Sequence, residues 1–414
     1  PALRRRAPPA SPTRGRLLLV LAVGLLIRAP FFFSAPILED DAWRYLWDGA
    51  VLAHGLDPYA NAPADLLAGK GPAEEPWPDL VEEGRAVLER VNHPRLKTIY
   101  PPVAQGAFAL AHRLAPWKGT GLRLVWLALD LAVLGLLLVV LGAAAGRTWQ
   151  VAIYWLNPLL VKEVYNSMHM EPVLLAFSTG ALVLASRRRV RAAAGGLALA
   201  IGAKIWPVLW LPLVLRVRGL RRREAVVGGV VAVGLAAVLV LPLLWRSGES
   251  ASGLGAYARV WEINDAAFLL VHQAAALFTP AHAPFVARVV VALLLLALLL
   301  RLALRPVQDG RDLATRALTL VAALFLLSPT AFPWYGLWLL PALAWVPRTS
   351  LLLLTVTLPL YYLRFRFADW GIPGVFDYGV VWIEFLPVWF LFVREQRRSR
   401  RLAPAGGNRP CSRA

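Results

Sequence analysis

The sequence predicts an all-α protein, a polytopic transmembrane helical bundle with about 11 to 13 membrane segments and a long first extracytoplasmic loop that contains short helices. Three observations support this prediction. Hydrophobic residues make up 58% of the 414 residues, and the mean hydropathy of +0.57 is high, since soluble domains are usually nearer half apolar. The apolar residues form long blocks rich in Leu, Val and Ala. Short basic runs separate these blocks.

The net charge of +19 indicates how the chain is oriented in the membrane. The basic runs include residues 4–6, 187–191, 216–223 and 394–401. Short basic runs between apolar blocks are typical of cytoplasmic loops, and they argue against nucleic-acid binding. Nearly half of the acidic residues lie instead between Glu39 and Glu89. This distribution predicts a multi-pass protein of the plasma (inner) membrane, with both termini in the cytoplasm and the acidic segment outside.

The apolar blocks give the expected membrane segments in order. Residues 17–33 form the first, interpreted as a retained span because the later topology works with it; a cleaved signal peptide is the alternative. The first outer loop follows at 34–120, with an amphipathic helix near 79–91 and a short helix at 100–115 that "YPP" begins. Further single spans are expected at 122–142, 149–164, 172–185, 225–244, 284–304, 317–327, 337–346, 351–363 and 380–393.

One membrane domain, 17–393, is therefore expected between two basic cytoplasmic tails, 1–16 and 394–414, with a second outer loop at 246–283. Within this domain residues 192–215 form one apolar block with a basic run on each flank. A single crossing would put one of those runs outside. Because the block is interrupted by a lysine and two prolines, we expect a hairpin of two short helices that returns to the cytoplasmic side.

Three acids, Glu39, Asp40 and Asp41, stand together where the first span leaves the membrane. On a helix, one face then carries Asp41, Arg44, Tyr45 and Asp48. One interpretation is an interfacial helix capped by Asp40 or Asp41. Capping needs only one acid, so a second carboxylate is left for chemistry or metal binding. Glu39 is interpreted as a boundary residue.

A second polar cluster, Asn166, His169 and Glu171, lies between two expected spans. Together with Asp40, His169 and Glu171 offer nitrogen and oxygen ligands for a divalent cation such as Mg or Mn. The alternative is that Glu171 and the proline after it simply begin the next helix. The one cysteine, Cys411, lies in the polar tail, which excludes an intramolecular disulfide and a Cys-based metal site.

Cations and aromatic residues provide further candidates. Lys204 lies within an apolar block, where an ionisable residue is a functional hypothesis by default; snorkelling to the cytoplasmic surface is the alternative. Arg364 and Arg366 depart from the positive-inside trend and are candidates to face a lipid phosphate. The segments "NHPRLKTIYPP" and "TAFPWYGLW" contribute His93, Tyr100, Trp334 and Tyr335. Aromatic rings of this kind pack on sugar faces or form an interfacial belt.

An ordered set of motifs resembles the fold-C class of integral-membrane glycosyltransferases, which use polyprenyl-phosphate-linked sugars, in its bacterial mannosyltransferase-like branch. The motifs are "DDAWRYLWDG", "GLDPYANAP", "NHPRLKTIYPP", "YWLNPLLVKEVYNSMHMEP", "AGGLALAIGAKIWPVLWLPLVL", "WEINDAAF" and "SPTAFPWYGLWLLP". They cover most of the chain, and the set is specific although each motif alone is weak. The second cluster departs from the His-x-Asp common in relatives, because it reads His169-Met170-Glu171.

The resemblance implies an inverting transfer of a hexose, most simply mannose, from a polyprenyl-phosphate donor to a hydroxyl of a glycan, lipid or protein acceptor outside the membrane. Asp41 matches the family's base, and Asp40 would support it or bind a cation. A leaving phosphate needs cations or a metal rather than a strong general acid. The expected donor-binding residues are Arg44, Tyr45, His93, Tyr100, Asn166, His169, Lys204, Trp334, Tyr335, Arg364 and Arg366.

Two other classes of function remain open at this stage. A lipid-linked sugar flippase or transporter would use the same lipid-facing cations without a carboxylate base, and a non-catalytic envelope-assembly protein would need neither. Transport would more naturally place ionisable groups near the middle of the membrane, in interrupted segments that match between two halves of the chain. The acid cluster at the outer end of the first span favours the enzyme.

Overall fold

A computed structural model describes residues 14–142, 147–246 and 252–402, so predictions for the outer parts of both tails, Cys411 included, lie outside the described residues. Within these ranges the chain is helical, and its β contacts are two isolated bridges. The predicted all-α class is confirmed.

The α-helices of the first half are α1 (Arg14–Arg28), α2 (Asp41–Ala53), α3 (Pro63–Leu67), α4 (Trp77–Leu88), α5 (Pro102–Leu114), α6 (Gly119–Gly142), α7 (Val151–Trp155), α8 (Pro158–Val161), α9 (Glu171–Ser186), α10 (Val190–Ala203) and α11 (Leu211–Val214). Those of the second half are α12 (Arg222–Arg246), α13 (Gly253–Val260), α14 (Ala266–Phe278), α15 (Ala283–Ala303), α16 (Gly310–Leu327), α17 (Leu340–Trp345), α18 (Thr349–Thr357), α19 (Leu363–Asp369) and α20 (Val381–Leu402). Tighter or wider turns join several of them, notably the 3-10 helices Trp206–Trp210 and Pro333–Leu339 and the π-helix Lys162–Asn166.

Six of the described helices are long and apolar enough to cross a membrane: Gly15–Phe33, Gly119–Gly142, Arg222–Arg246, Pro280–Ala303, Thr349–Asp369 and Phe376–Arg398. Shorter apolar helices at Glu171–Ser186, Val190–Ala203 and Ala266–Phe278 accompany them. The number of long helices is smaller than the 11 to 13 expected membrane segments because several apolar blocks fold as short or broken helices. The last of the three short helices belongs to the expected second outer loop, which is therefore largely helical.

The block at 149–164, expected to be one span, is interrupted near its middle. Pro158 lacks the backbone N–H that would continue α7, and the Asn157 side chain accepts a hydrogen bond from the Leu159 N–H at 3.0 Å, which starts α8 instead. The π-helix Lys162–Asn166 follows directly. π-helical turns are rare and often occur at functional sites.

The predicted hairpin at 192–215 is present. Lys204 adopts an extended conformation that ends α10, and the proline-containing turns after it reverse the chain through the 3-10 helix Trp206–Trp210 and α11. A Cβ atom on Gly219 would lie 3.1 Å from Nη1 of Arg188. The basic runs on the two flanks therefore meet at the same end of the bundle.

A third basic loop joins this end. The Arg218 guanidinium donates to Oε1 of Gln308 at 3.0 Å, and a Cβ on Gly310 would lie 2.9 Å from Cβ of Ser186. The helices α9, α10 and α16 run from here to the opposite end of the bundle, where the candidate site lies.

A buried ion pair that the sequence interpretation did not identify crosslinks the first membrane helices. Arg28 of α1 donates through Nε to Oδ2 of Asp130 in α6 at 3.0 Å, and both side chains are at most 1% exposed. The hydroxyls of Tyr154 and Tyr165 each donate to this carboxylate at 2.7 Å, and the Arg28 guanidinium lies 3.6 Å from the Trp155 ring centroid. The pair therefore ties α1 and α6 to α7 and the π-helix.

The helix that carries the acid cluster is buried on nearly every side. In α2, Tyr45 stacks on Phe108 of α5 with centroids 4.6 Å apart, and a Cβ on Gly49 would lie 2.4 Å from the Phe108 carbonyl oxygen. A glycine is needed at this close helix crossing. Trp47 is 3% exposed and packs against Trp117. The packing of α2 on α5 fixes where its first residue, Asp41, points.

Candidate active site

A cavity of about 790 Å³ lies at the end of the bundle opposite the basic loops. Side chains from residues 38–45 and 92–101 and from α9, α10, α13, α16 and α19 line it, together with the turns that adjoin these helices. Its polar or aromatic lining comprises Glu39, Asp40, Asp41, Tyr45, Asn92, His93, Tyr100, Glu171, Lys204, Trp206, Tyr257, Trp261, Glu262, Ser328, Phe332, Trp334, Tyr335, Trp338, Tyr361, Arg364 and Phe365. The tertiary structure thus brings the acid cluster together with a lysine, an arginine and aromatic rings.

Asp41 accepts hydrogen bonds on both carboxylate oxygens. The Asn92 amide donates to Oδ1 at 2.7 Å, while the hydroxyls of Tyr45 and Tyr100 donate to Oδ2 at 3.3 and 3.4 Å. The same Asn92 amide donates to Oδ1 of Asp40 at 2.8 Å. The two aspartates are therefore held side by side by one amide group.

The capping interpretation of this pair is wrong. Asp40 occupies the N-cap position of α2, but its side chain makes no capping hydrogen bond. Its carboxylate binds Asn92 instead, as does that of Asp41 in the first turn. Both acids therefore line the cavity rather than cap the end of the helix.

His169 lies directly behind Asp41. Its ring is fully buried, with Nδ1 3.6 Å from Oδ2 of Asp41 and Nε2 3.5 Å from Oε2 of Glu163. One ring face stacks on Trp334 with centroids 3.9 Å apart. Burial lowers the pKa of His169, but the adjacent Asp41 carboxylate and the nearby Glu163 and Glu39 carboxylates outweigh it, so the pKa is raised.

The His169 ring in turn acts on Asp41. Burial raises the pKa of Asp41, but the adjacent His169 ring, the Asn92 amide and the charge of Lys204 together lower it to about 2. Asp41 is therefore an ionised carboxylate at neutral pH, able to accept a proton.

Glu39 is more than the boundary residue that the sequence suggested. It lines the cavity, and its Oε1 is buried without a hydrogen-bond partner among the described residues. Burial raises the pKa of Glu39 to about 8; the His169 charge opposes this shift, and the Asp41 and Glu163 charges add to it. At neutral pH Glu39 is a neutral carboxylic acid beside the ionised Asp41.

Lys204 and Arg364 supply the positive side of the cavity. The Lys204 ammonium lies 2.8 Å from Oε1 of Glu171, 4.2 Å from the Tyr335 ring centroid and 4.9 Å from that of Trp338. It is thus directed into the cavity, away from the basic-loop end, and the snorkelling alternative is wrong. Arg364 donates to the Tyr361 hydroxyl at 3.0 Å.

Four predicted donor-binding residues do not line the cavity: Arg44, Asn166, His169 and Arg366. Arg44 donates to the backbone carbonyls of Asn92, His93 and Leu96 at 2.8, 3.2 and 3.1 Å. Its guanidinium therefore holds the loop that carries Asn92 and His93, and no phosphate is needed to satisfy it.

The other three residues outside the lining also have local partners. His169 lies behind Asp41. Asn166 donates to Oγ of Ser34 and the Ala35 carbonyl at 3.0 and 2.9 Å and accepts from the Ile37 N–H at 3.1 Å, which fixes the segment before the acid cluster. Arg366 lies 4.9 Å from the Trp370 ring centroid.

The predicted cation set of Asp40, His169 and Glu171 does not converge. Asp40 binds Asn92, Glu171 pairs with Lys204, and both ring nitrogens of His169 face other carboxylates. Within the described residues no group of three or more His, Cys, Asp or Glu side chains is arranged to hold a metal ion. These three residues therefore do not fit a Mg or Mn site, and no chemical step is derived through one.

Aromatic rings form one wall of the cavity. The predicted residues His93, Trp334 and Tyr335 lie in it: His93 packs on Trp261 at 4.9 Å between centroids, and Tyr335 stacks on Trp338 at 4.3 Å. The residues that the sequence analysis missed are Glu39, Asn92, Trp206, Tyr257, Trp261, Glu262, Trp338 and, behind the cavity, Glu163. Most of them belong to the quoted motifs, so the signal was present but did not distinguish which side chain faces inward.

Comparison with known proteins was made against families, curated proteins and solved structures. The model of a family described as "Alpha-(1->6)-mannopyranosyltransferase, N-terminal domain" matches residues 3–219. The alpha-(1->6)-mannopyranosyltransferases A and B of Corynebacterium glutamicum are 26% identical over 45% of this chain and 27% identical over 38% of it. These matches cover 36% and 25% of the two relatives' own lengths. No solved structure gives a significant match. The family match contains the acid cluster, Asn92, His169 and Lys204.

Proposed function

The chain belongs to the alpha-(1->6)-mannopyranosyltransferase family, and from this premise we propose that it transfers a hexose, mannose, from a polyprenyl-phosphate donor to a hydroxyl of an extracytoplasmic acceptor. The transfer is inverting, so a product with an α linkage requires a donor with a β linkage. The observation that supports the proposal most is the cavity itself, in which the ionised Asp41 faces Lys204 and an aromatic wall.

Asp41 is the proposed base. The acceptor oxygen attacks the anomeric carbon as the bond from that carbon to the phosphate oxygen breaks, through an oxocarbenium-like transition state. A carboxylate whose pKa is about 2 is a weak base. It can still take the proton because the acceptor hydroxyl becomes strongly acidic once its oxygen bonds to the electron-poor carbon. Proton transfer is therefore late, and Asp41 also stabilises the positive charge on the sugar.

Lys204 and Arg364 are the proposed partners of the phosphate. The leaving group departs with the bonding electron pair and needs positive charge rather than a proton. Both cations line the cavity, and Lys204 is held over the rings of Tyr335 and Trp338. Those aromatic faces suit the apolar side of a sugar ring.

The cavity's position supports an extracytoplasmic reaction. It lies at the end of the bundle opposite the loops at 187–191, 216–223 and 305–316, and such basic loops face the cytoplasm. Donor and acceptor would then meet at the outer surface. The alternative, a lipid-linked sugar flippase, would need ionisable groups along a path through the membrane. The cavity-lining ionisable groups gather at one end instead.

Replacing the base tests the proposal. We expect Asp41→Asn, in membranes given radiolabelled polyprenyl-phosphate mannose and a mannan acceptor, to lower transfer at least about 100-fold, because the general-base contribution is lost. Asp79→Asn is the matched control, because it replaces an aspartate by asparagine on the exposed face of α4. This variant should transfer at the wild-type rate. Undiminished transfer by Asp41→Asn would show that Asp41 is not the base.

A further inference from the structure

A second buried carboxylate, which the reaction scheme above does not use, lies behind His169. Glu163 is 0% exposed. Its oxygens accept two hydrogen bonds from the Tyr362 hydroxyl, at 2.8 and 3.0 Å. The Lys162 ammonium lies 3.3 Å from Oε1 and 3.5 Å from the Tyr362 ring centroid. A buried carboxylate is costly unless it is paired in this way.

The backbone is distorted to bring Glu163 and His169 together. Glu163 lies in the π-helix Lys162–Asn166, and Met168, directly before His169, has a left-handed φ of 60°. The His169 N–H donates to the Glu163 carbonyl at 2.9 Å, and Trp126 donates to the Met168 carbonyl at 2.9 Å. A left-handed conformation is strained for a methionine. Strain of this kind is retained where the surrounding structure fixes a geometry.

The result is a row of alternating charges that begins at the cavity: Asp41, His169, Glu163 and Lys162. We infer that Glu163 is a positioning residue for the transfer, which keeps the His169 imidazole protonated and aimed at Asp41. The inference rests on the proposed function, in which Asp41 is the base. Glu163 itself reaches neither the cavity nor the substrates.

The arrangement resembles an acid–His–nucleophile triad, since one buried acid orients a ring that acts on the reacting group. The role of the ring differs between the two arrangements. Here the ring faces a carboxylate, so the protonated form is favoured and Asp41 stays ionised where it lines the cavity. Stacking on Trp334 fixes the plane of the ring.

Other charged groups also act on this row. Glu39 is a third acid that raises the pKa of His169 when it is ionised, and Lys204 is a cation whose charge lowers the pKa of Asp41. Tyr45 and Tyr100 contact Asp41 as neutral donors. Of these four groups Glu39 also responds to a Glu163 variant, because the Glu163 charge raises the pKa of Glu39, so a readout on the His169 ring itself is needed.

The test is the pH dependence of transfer by Glu163→Gln. Without the Glu163 charge the pKa of His169 falls, so the ring loses its proton, and Asp41 loses its charged partner, at a lower pH than in the wild type. We expect the alkaline limb of kcat to move down by about one pH unit or more, while KM for the donor changes less than kcat. A purely structural role would lower activity without moving the limb.

A spectroscopic readout makes the test independent of activity. The chain has six histidines, so the 15N signal of His169 can be assigned by comparison with His169→Gln. We expect the wild-type ring to remain an imidazolium well above the ordinary pKa of histidine, near 6.5, and the Glu163→Gln ring to titrate at lower pH. Tyr362→Phe removes the hydroxyl that fixes Glu163. It should shift the pH profile and the His169 titration in the same direction as Glu163→Gln, but by less. It replaces Glu163→Gln in the test if that variant does not fold.

Glu384→Gln is the matched control. Like Glu163, Glu384 is 0% exposed and accepts a side-chain hydrogen bond, from the Asn264 amide at 2.9 Å. It faces neither His169 nor Asp41. It should leave the alkaline limb and the His169 signal unchanged. Unmoved readouts in both Glu163→Gln and Tyr362→Phe would overturn the inference. If Asp41→Asn stays active while Glu163→Gln still lowers the His169 titration, the base assignment fails and the Glu163–His169 pairing stands.

Discussion

Neighbouring acids in one short segment acquire opposite properties in this protein. Asp41 has donors on both oxygens, whereas Glu39 has a buried oxygen with no hydrogen-bond partner among the described residues. The pKa of the first is lowered to about 2 and that of the second raised to about 8. At neutral pH Asp41 is a base and Glu39 a neutral hydrogen-bond donor, so Glu39 adds no negative charge beside Asp41.

The Glu39 carboxyl group should set an alkaline limit on transfer. As pH rises through about 8, Glu39 loses its proton, and a second negative charge beside Asp41 repels the phosphate of the donor. We expect donor KM in the wild type to increase above pH 8 and expect Glu39→Gln to remove that increase. The measurement is KM as a function of pH in membranes; an identical alkaline profile in the variant would contradict the assignment.

At the scale of helices, interruptions place the functional groups. The π-helix Lys162–Asn166 separates Glu163 from His169, and the extended residue Lys204 ends α10 with its ammonium in the cavity. Continuous helices through these blocks would have directed the same side chains elsewhere. The buried pair Arg28–Asp130 fixes α1 against α6 and holds the π-helix through Tyr165.

Removing one partner of that pair should destabilise the whole protein. Asp130→Asn leaves the Arg28 charge buried without compensation, and we expect the free energy of unfolding to fall by about 3–5 kcal/mol. Thermal denaturation in detergent micelles measures this. Glu82→Gln is the comparison, because the Glu82–Arg85 pair is exposed, at 76% and 48%, and should be worth about 1 kcal/mol or less. Equal effects of the two changes would show that the buried pair is not a structural crosslink.

At the scale of the molecule, charge separates the two ends. Three basic loops contact one another at one end, and the cavity with its acidic cluster lies at the other. The hairpin built from α10, the 3-10 helix Trp206–Trp210 and α11 is what allows the runs at 187–191 and 216–223 to share an end.

Labelling from the two sides of the membrane tests this orientation. In a Cys411→Ser background, which removes the one native cysteine, single cysteines at the exposed positions Arg189, Arg222 and Asp79 report the two faces. We expect Asp79→Cys to react with an impermeant maleimide in intact cells, and Arg189→Cys and Arg222→Cys to react only after permeabilisation. Reaction of Arg222→Cys from outside would invert the proposed placement of the cavity.

The sequence by itself determined the fold class, the hairpin and the two-ended charge pattern, because apolar block length and basic runs reflect the lipid solvent directly. It also predicted Asp41, Asp40, His93, Tyr100, Lys204, Trp334, Tyr335 and Arg364 as cavity residues. Only the tertiary structure distinguished Arg44 and Asn166, which hydrogen-bond to backbone groups, from residues that face the cavity. Only the tertiary structure revealed Glu39, Asn92 and Glu163 as residues in or behind the site. Burial and the partners of a polar group depend on chain segments far apart in sequence, and these decide whether an acid is a base, a neutral donor or a support behind the site.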